Sequence, residues 1–307
     1  MPARTRVLDT DGARRFVAAR GFEPAAAGPL AQRVGIEAEW LTVRLDADHR
    51  RAPLAAVRDA ASACQPLPAG SRVTFEPGGQ IELSTRPLPG VRACDALATD
   101  AAALGKALAG AGIGLVAVGL DPGPEPEREV RSPRYDAMEA YFDLAGPAGR
   151  TMMRSTAAVQ VNVDLGPDGD LPRRWRLAHH LGPVLAAAFA NSPFAHGAPS
   201  GYRSTRLAVW RAIDPSRTRP VGAGSDGATG CRTAWADYAL GAGVMLVRAD
   251  AEHHVPVLDR LSFADWIERG HELGWPTLDD LDYHLTTLFP PVRPRGWLEL
   301  RMIDGVA

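Results

Sequence analysis

The sequence of 307 residues is nearly without lysine: Lys106 is the only one among 34 basic residues, the rest being arginine. That lone lysine sits in a helix-prone run, not in GxxxxGK[ST], so a P-loop is excluded. No GxGxxG follows a strand and opens a helix, which leaves a dinucleotide-binding fold unsupported. HExxH is absent as well. Cysteines number 3, Cys64, Cys94 and Cys231, too few and too widely spaced for a disulfide framework or a structural zinc site. No run of about 18 apolar residues offers a membrane span. The opening MPARTRVLDTDGARRF lacks the apolar core of a secretory signal, so a cytoplasmic location is expected. The formal charge of −2 argues against a nucleic-acid partner.

What is present is ordinary globular composition, 46% hydrophobic and 23% charged, in a chain long enough for a sizeable core. Residues 1–32 read as a helix-prone lead-in with a Pro/Gly-rich connector, and residues 33–307 as one catalytic domain. From Arg33 to Leu45 apolar and polar residues alternate, the period of a half-buried strand, which puts Glu37 and Glu39 on one face. Strands at Arg72–Glu76 and Gln80–Thr85 flank a Pro-Gly-Gly turn, a hairpin signal. Apolar spacing predicts a helix over 91–111, then a strand Leu115–Gly119, a long loop 121–133, and a short helix Tyr135–Ala145. Ser155–Leu165 alternates again, with Gln160, Asn162 and Asp164 on one face. A helix Arg173–Asn191, a long irregular stretch Ser192–Arg232, helices Phe263–Arg269 and Leu278–Leu288, and a strand Trp297–Ile303 complete the pattern. Strands in runs and helices in runs predict an α+β fold with an antiparallel sheet.

Glutamate is a poor strand residue, yet Glu37, Glu39, Glu76, Glu82 and Glu299 all fall in or beside predicted strands. One such residue is unremarkable if solvated or paired with arginine. Five on half-buried strands would each cost several kcal/mol of desolvation, on the order of ~3 or more, and would repel one another. Divalent cations relieve both penalties, because hard cations take oxygen ligands, and magnesium in such sites couples carboxylates to substrate phosphates. The pattern thus points to a nucleoside-triphosphate enzyme.

The segments GIEAEW (35–40), FEPGGQIELST (75–85), STAAVQVNVD (155–164), NSPFAHG (191–197), STRLAVWRAIDPSRT (204–218), HLTTLFPPVRP (284–294) and LELRMID (298–304) occur in that order. Together they resemble the glutamate–cysteine ligases of the plant and proteobacterial type, most of all the actinobacterial branch whose product feeds ergothioneine synthesis. The resemblance runs from about Gln32 onward. It implies a glutamine-synthetase-like fold: a curved, mainly antiparallel sheet with metals on its inner face and helices outside. It implies ATP and Mg2+, with glutamate and cysteine as the other substrates. Carried over by motif, the metal ligands are Glu37, Glu39, Glu76, Glu82, Gln160 and Glu299, and Asn162 and Arg301 serve the nucleotide. Arg206, Trp210 and Arg203 bind substrate, while Glu299 and Arg301 are catalytic, the latter facing the transferred phosphoryl group. Family members continue past the LExR strand into a helical part that is not in this sequence.

The implied reaction phosphorylates the γ-carboxylate of glutamate, and the cysteine amine then displaces phosphate. Such chemistry needs positioning and charge neutralisation rather than a protein nucleophile, in keeping with the lack of a recognisable triad. No residue visible in the sequence reads the cysteine thiol. A carboxylate–amine ligase with another amine therefore stays open, as does an inert metal- or nucleotide-binding regulator.

Overall fold

The computed structural model describes residues 8–24, 32–46, 50–222, 228–250 and 253–306. The chain begins with α1 (Thr10–Phe22), started by Asp9, whose carboxylate accepts from the Gly12 amide at 2.6 Å. Next come β1 (Arg33–Arg44), α2 (Leu54–Ala63), the hairpin β2 (Arg72–Phe75) and β3 (Ile81–Ser84), and a short β4 (Leu88–Pro89). Helix α3 (Arg92–Gly110) ends before Gly112, which takes φ 72, and leads into β5 (Ile113–Val116). After a long loop come α4 (Pro133–Phe142), capped by Ser132, then α5 (Ala148–Ser155), β6 (Ala158–Asp164) and α6 (Leu171–Ala188). A small hairpin, β7 (Phe194–Ala195) and β8 (Ala198–Pro199), precedes α7 (Thr205–Ile213), α8 (Pro215–Thr218) and α9 (Ala228–Gly241). The last part holds β9 (Leu246–Arg248), β10 (His254–Pro256), α10 (Phe263–Arg269), α11 (Leu278–Leu285), β11 (Val292–Pro294) and β12 (Trp297–Asp304). Thr277 and Asp280 form a capping box at the start of α11.

The main sheet runs β11-β12-β6-β1-β3-β2, with β4 and β5 also paired to the long β1, and every pairing is antiparallel. Directly opposed residues share a face. Glu37 lies opposite Gln160, Glu39 opposite Glu82, and Glu299 opposite Asn162, so one face gathers the polar side chains. The other face carries Ala38 opposite Leu83, Ile36 opposite Val161, and Leu298 opposite Val163. That apolar face is buried in two places. Ala38, Trp40, Ile81 and Leu83 pack under α2 and α3 through Val57, Leu104 and Leu108. Leu298 and Met302 pack under α1, α6 and α9 through Val17, Trp175 and Trp235. A third cluster, including Met138, Phe142, Met153 and Ile213 of α4, α5 and α7, is separate from both.

The expected α+β class and most expected elements are present. The stretch 192–232 is not irregular, however. Ser204 accepts from the Leu207 amide and starts α7, and Asp214 accepts from Ser216 and starts α8. The abundance of Ser, Arg and Gly masked these short capped helices; residues 223–227 fall outside the described part. Ser155 ends α5 rather than starting a strand, and α2, α9 and the β9–β10 pair were not anticipated. The lead-in is not separate from the core: Phe22 of α1 meets Trp175 edge to face at 5.5 Å. Its expected connector lies largely outside the described residues.

Arg217 locks this architecture. It is fully buried, with Nε donating to Asp214 at 2.8 Å, Nη1 to the Thr287 carbonyl at 2.8 Å and Nη2 to the Tyr141 hydroxyl at 2.9 Å. Arg217→Ala should cost about 3–5 kcal/mol, because Asp214 and the Thr287 and Gly243 carbonyls lose their donor. Urea unfolding checks this; a loss below about 1 kcal/mol would show that the cluster is dispensable.

Candidate active site

A cavity of about 270 Å³ opens over the polar face of the sheet. Its floor is built from Glu37 and Glu39 of β1, Glu76 at the hairpin turn, Glu82 of β3 and Gln160 of β6. The turn is tight: Gly79 adopts φ 83 and its amide donates to the Glu76 carbonyl at 2.8 Å. A Cβ on Gly78 would lie 2.1 Å from the Arg154 carbonyl, so only glycine lets the turn approach α5. Arg51 clamps the same place, donating to the Gly78 carbonyl at 2.7 Å and the Arg154 carbonyl at 3.1 Å.

Carboxylate oxygens of Glu39, Glu76 and Glu82 all lie within 4.8 Å of one another, the arrangement of a cation site. Glu39 accepts from the Ala158 amide at 2.9 Å and from Gln160 at 3.2 Å. Glu82 accepts from Thr74 at 2.7 Å and Ser84 at 2.8 Å. Asn162 donates to Glu37 at 3.1 Å and itself accepts from the Trp297 indole at 2.8 Å. These contacts orient the carboxylates without neutralising them. Burial, then the charges of Glu76 and Glu82, pushes the Glu39 carboxyl well up. Burial and the charge of Glu82 push Glu76 up to about 7. Glu37 is raised by burial and by Glu299. Three buried carboxylates this close, raised in spite of the arginines around them, fit a hard divalent cation, and Glu37 and Gln160 line the same cavity.

Arginines stand around this floor. Arg206, 2% exposed on α7, donates to the Arg301 carbonyl at 3.0 Å and lies 3.6 Å from Asp304. Its Nε and Nη1, the Trp210 indole N–H and the Arg301 Nε are buried and find no hydrogen-bond acceptor among the described residues. Burial lowers the Arg206 pKa, opposed by Asp304 and Glu39. Orphaned donors of this kind converge where an anion can satisfy them. Arg301 donates to Gln160 and stands 5.5 Å from the Trp210 ring centroid.

Three expected residues are placed differently. Glu299 is fully buried and faces guanidiniums: Arg293 grips both its oxygens, Arg301 is 3.2 Å away and Arg295 3.7 Å. Burial pushes its carboxyl up, but Arg293 and Arg301 prevail and hold it at about 2. It therefore acts here as the counter-ion of the arginines, and it does not line the cavity. Arg203 is exposed and also outside the lining, because α7 begins after the Ser204 cap and residue 203 is not on the helix. Asn162 sits beneath Glu37 rather than in the lining. Arg293, Arg134, Tyr135, Met138, Met153 and Phe289 line the cavity without having been singled out. Arg293 lies opposite Glu299 across the β11–β12 pair, a register that the strand period alone does not give. The apolar members had no signal separable from core.

An acid-floored, arginine-rimmed cavity on an antiparallel sheet is the mark of enzymes that handle carboxylates and phosphates with a divalent cation. The chain belongs to glutamate-cysteine ligase family 2, whose model matches residues 33–307. It is 46% identical over 285 residues to the glutamate–cysteine ligase EgtA of Mycolicibacterium smegmatis, covering 91% of this chain and 66% of that protein. To EgtA of Mycobacterium tuberculosis it is 45% identical, covering 91% of this chain and 65% of that one. A chloroplastic glutamate–cysteine ligase of Nicotiana tabacum is 34% identical over 241 residues, 76% of this chain and 45% of the tobacco protein. The chain thus spans about two thirds of the length of its mycobacterial relatives. A solved glutamate–cysteine ligase of Francisella tularensis, in complex with AMP, shares the fold with a TM-score of 0.51 at 14% identity, covering 94% of this chain and 64% of that one. The glutamine-synthetase-like architecture is therefore shown. Among the described residues no helix is long and apolar enough to cross a membrane.

A pH prediction follows from the raised carboxyls. In metal-free protein the folded state holds a proton on Glu76 that the unfolded chain has released, so stability from this group falls as pH rises from 4.5 through about 7. Glu76→Gln should match wild type near pH 4.5 and melt higher than wild type at pH 8 in chelator. His284, lowered by burial to about 3, acts alike in both proteins and cancels. A melting difference that is the same at pH 5 and pH 8 would contradict the carboxylate cluster.

Proposed function

We propose that this chain joins the γ-carboxylate of glutamate to the amino group of cysteine, with ATP and Mg2+, in the thiol-forming step that feeds ergothioneine synthesis in the cytoplasm. Residues 33–307 are the catalytic domain and residues 1–32 its lead-in. The observation that carries the proposal is the juxtaposition of two unsatisfied sets: three carboxylates within 4.8 Å of one another, and the acceptor-less donors of Arg206, Trp210 and Arg301 in the same cavity. Family membership and the EgtA relatives support the choice of substrates.

The residues divide the work. Arg206 and Trp210 take the α-carboxylate of glutamate, because a planar guanidinium fork matches two carboxylate oxygens. Glu37, Glu39, Glu76 and Glu82, with Gln160, would hold magnesium, which when bound would neutralise phosphate charge and polarise the transferring group. Arg301, on the same face, stabilises the equatorial oxygens of that group. Glu299, gripped by Arg293, keeps Arg301 in place from beneath. The γ-carboxylate oxygen bonds to phosphorus as ADP leaves. The cysteine amine then attacks the carbonyl carbon of γ-glutamyl phosphate, the C–O bond breaks, and phosphate departs. Met138, Met153 and Phe289 form the apolar side of the cavity and suit the small thiol-bearing acceptor.

Two measurements test this. ADP release should require glutamate and rise with cysteine, and failure of cysteine where another amine succeeds would replace the acceptor. Arg206→Lys should raise the KM for glutamate about tenfold or more and leave the KM for ATP within about twofold, since charge stays but the fork is lost. An unchanged KM for glutamate would remove Arg206 from that role.

A further inference from the structure

Of the three clustered carboxylates, Glu39 and Glu82 are placed by the ladder, opposite one another on β1 and β3. Glu76 is placed otherwise. It follows β2 at the hairpin turn, so its reach into the trio depends on where that turn sits. Repulsion from Glu39 and Glu82 favours moving the turn away.

Long-range hydrogen bonds oppose that movement. The Pro77 carbonyl accepts from the Glu129 and Val130 amides, each at 2.9 Å. Gln80 donates through Nε2 to the Thr156 carbonyl at 2.7 Å. Arg51 donates through Nη1 to the Gly78 carbonyl at 2.7 Å and through Nη2 to the Arg154 carbonyl at 3.1 Å. This last contact is the one that brings in charge. The turn and the end of α5 approach so closely that a Cβ on Gly78 would lie 2.1 Å from the Arg154 carbonyl oxygen. Carbonyls crowded in this way need a donor between them, and one planar guanidinium serves both. Its Nε donates to Asp121 at 2.7 Å, and the other Asp121 oxygen accepts from the Gly123 amide at 2.8 Å.

Arg51 is itself anchored to β1. It bridges Val43, and the Ala52 amide donates to the Thr42 carbonyl at 3.0 Å. Helix α5 leads into β6, whose Ala158 amide and Gln160 side chain donate to Glu39. One side chain rooted on β1 therefore ties the segment that carries Glu76 to the segment that orients Glu39. We propose that Arg51 is a positioning residue for the cation. It sets the separation of Glu76 from Glu39 and Glu82, so divalent-cation affinity depends on it although it is outside the cavity lining. This rests on the reading of the trio as a cation site and extends it to a residue that is not a ligand.

Binding of Mn2+ alone, followed by the electron paramagnetic resonance of the free ion, tests the role in wild type, Arg51→Met, Arg51→Lys and Glu76→Gln. Arg51→Met keeps a long stem and loses every donor; it should weaken Mn2+ about tenfold or more, the scale for a residue that orients a ligand. Arg51→Lys keeps the charge beside Asp121 but lacks the planar fork, and should fall between Arg51→Met and wild type. The Mg2+ concentration for half-maximal ADP release should rise by a similar factor. Saturating Mg2+ should restore kcat, with the KM for glutamate then within about twofold of wild type. Wild-type Mn2+ affinity in Arg51→Met overturns the assignment. Where Arg51→Met does not fold, wild-type affinity in Arg51→Lys does the same. A rise in the KM for glutamate as large as the loss of metal affinity overturns it too, because the damage is then general. If wild type takes up no Mn2+, or Glu76→Gln takes it up as wild type does, the cation-site reading itself falls and this one with it.

Discussion

Glu39 faces Glu82 across adjacent strands, and Glu76 from the hairpin turn reaches the same point, so three carboxylates come within 4.8 Å of one another. Like charges opposed on a sheet destabilise it, and burial compounds the cost by disfavouring the charged form. Among the described residues no cation makes an ion pair with this trio; Arg206, Arg301 and Arg134 act on it only from a distance. The hydrogen bonds from Gln160, Thr74, Ser84 and the Ala158 amide only aim it. The rest of the architecture follows from tolerating that charge. The opposite face of the sheet packs into the cores under α2 and α3 and under α1, α6 and α9, which keeps the strands in register despite the repulsion.

The arginines are used in two distinct ways. Arg217 and Arg293 are saturated: each meets carboxylate, carbonyl or hydroxyl partners at nearly every donor, and they fix the walls. Arg206 and Arg301 are held in place yet keep donors without acceptors. Buried donors left open in a native structure are costly, and these belong to residues that line the same cavity as the carboxylate trio. Glu299 separates the two groups. By holding Arg293 with both oxygens it anchors the edge strand, and it also lies beside Arg301 and Arg295.

Much of this was legible in the sequence because strands impose a period of two. Glu37 and Glu39, Gln160 and Asn162, and Glu299 and Arg301 each had to share a face once the strands were recognised. The PGG turn announced its hairpin. Which strands are neighbours, however, depends on long-range pairing that periodicity does not encode, so the opposition of Glu39 to Glu82 and of Arg293 to Glu299 emerged only in three dimensions. Helices α7 and α8 were hidden because their caps, Ser204 and Asp214, sit in polar surroundings that resemble loop. Arg203 looked as eligible as Arg206 until the helix start left it outside. Met138, Met153 and Phe289 read as core, and they are core on one side and cavity wall on the other.

The central claim, that the γ-carboxylate is activated by phosphorylation in this cavity, is tested most directly by a sulfoximine analogue of the glutamyl–cysteine adduct. Its tetrahedral centre sits where the carbonyl would be attacked, and once phosphorylated it mimics the transition state, which such a site binds far more tightly than substrate. Inhibition of ADP release should grow with time, require both ATP and Mg2+, and be slowed by glutamate. Inhibition that proceeds equally without ATP, or its absence in a preparation that releases ADP with glutamate and cysteine, would contradict the account.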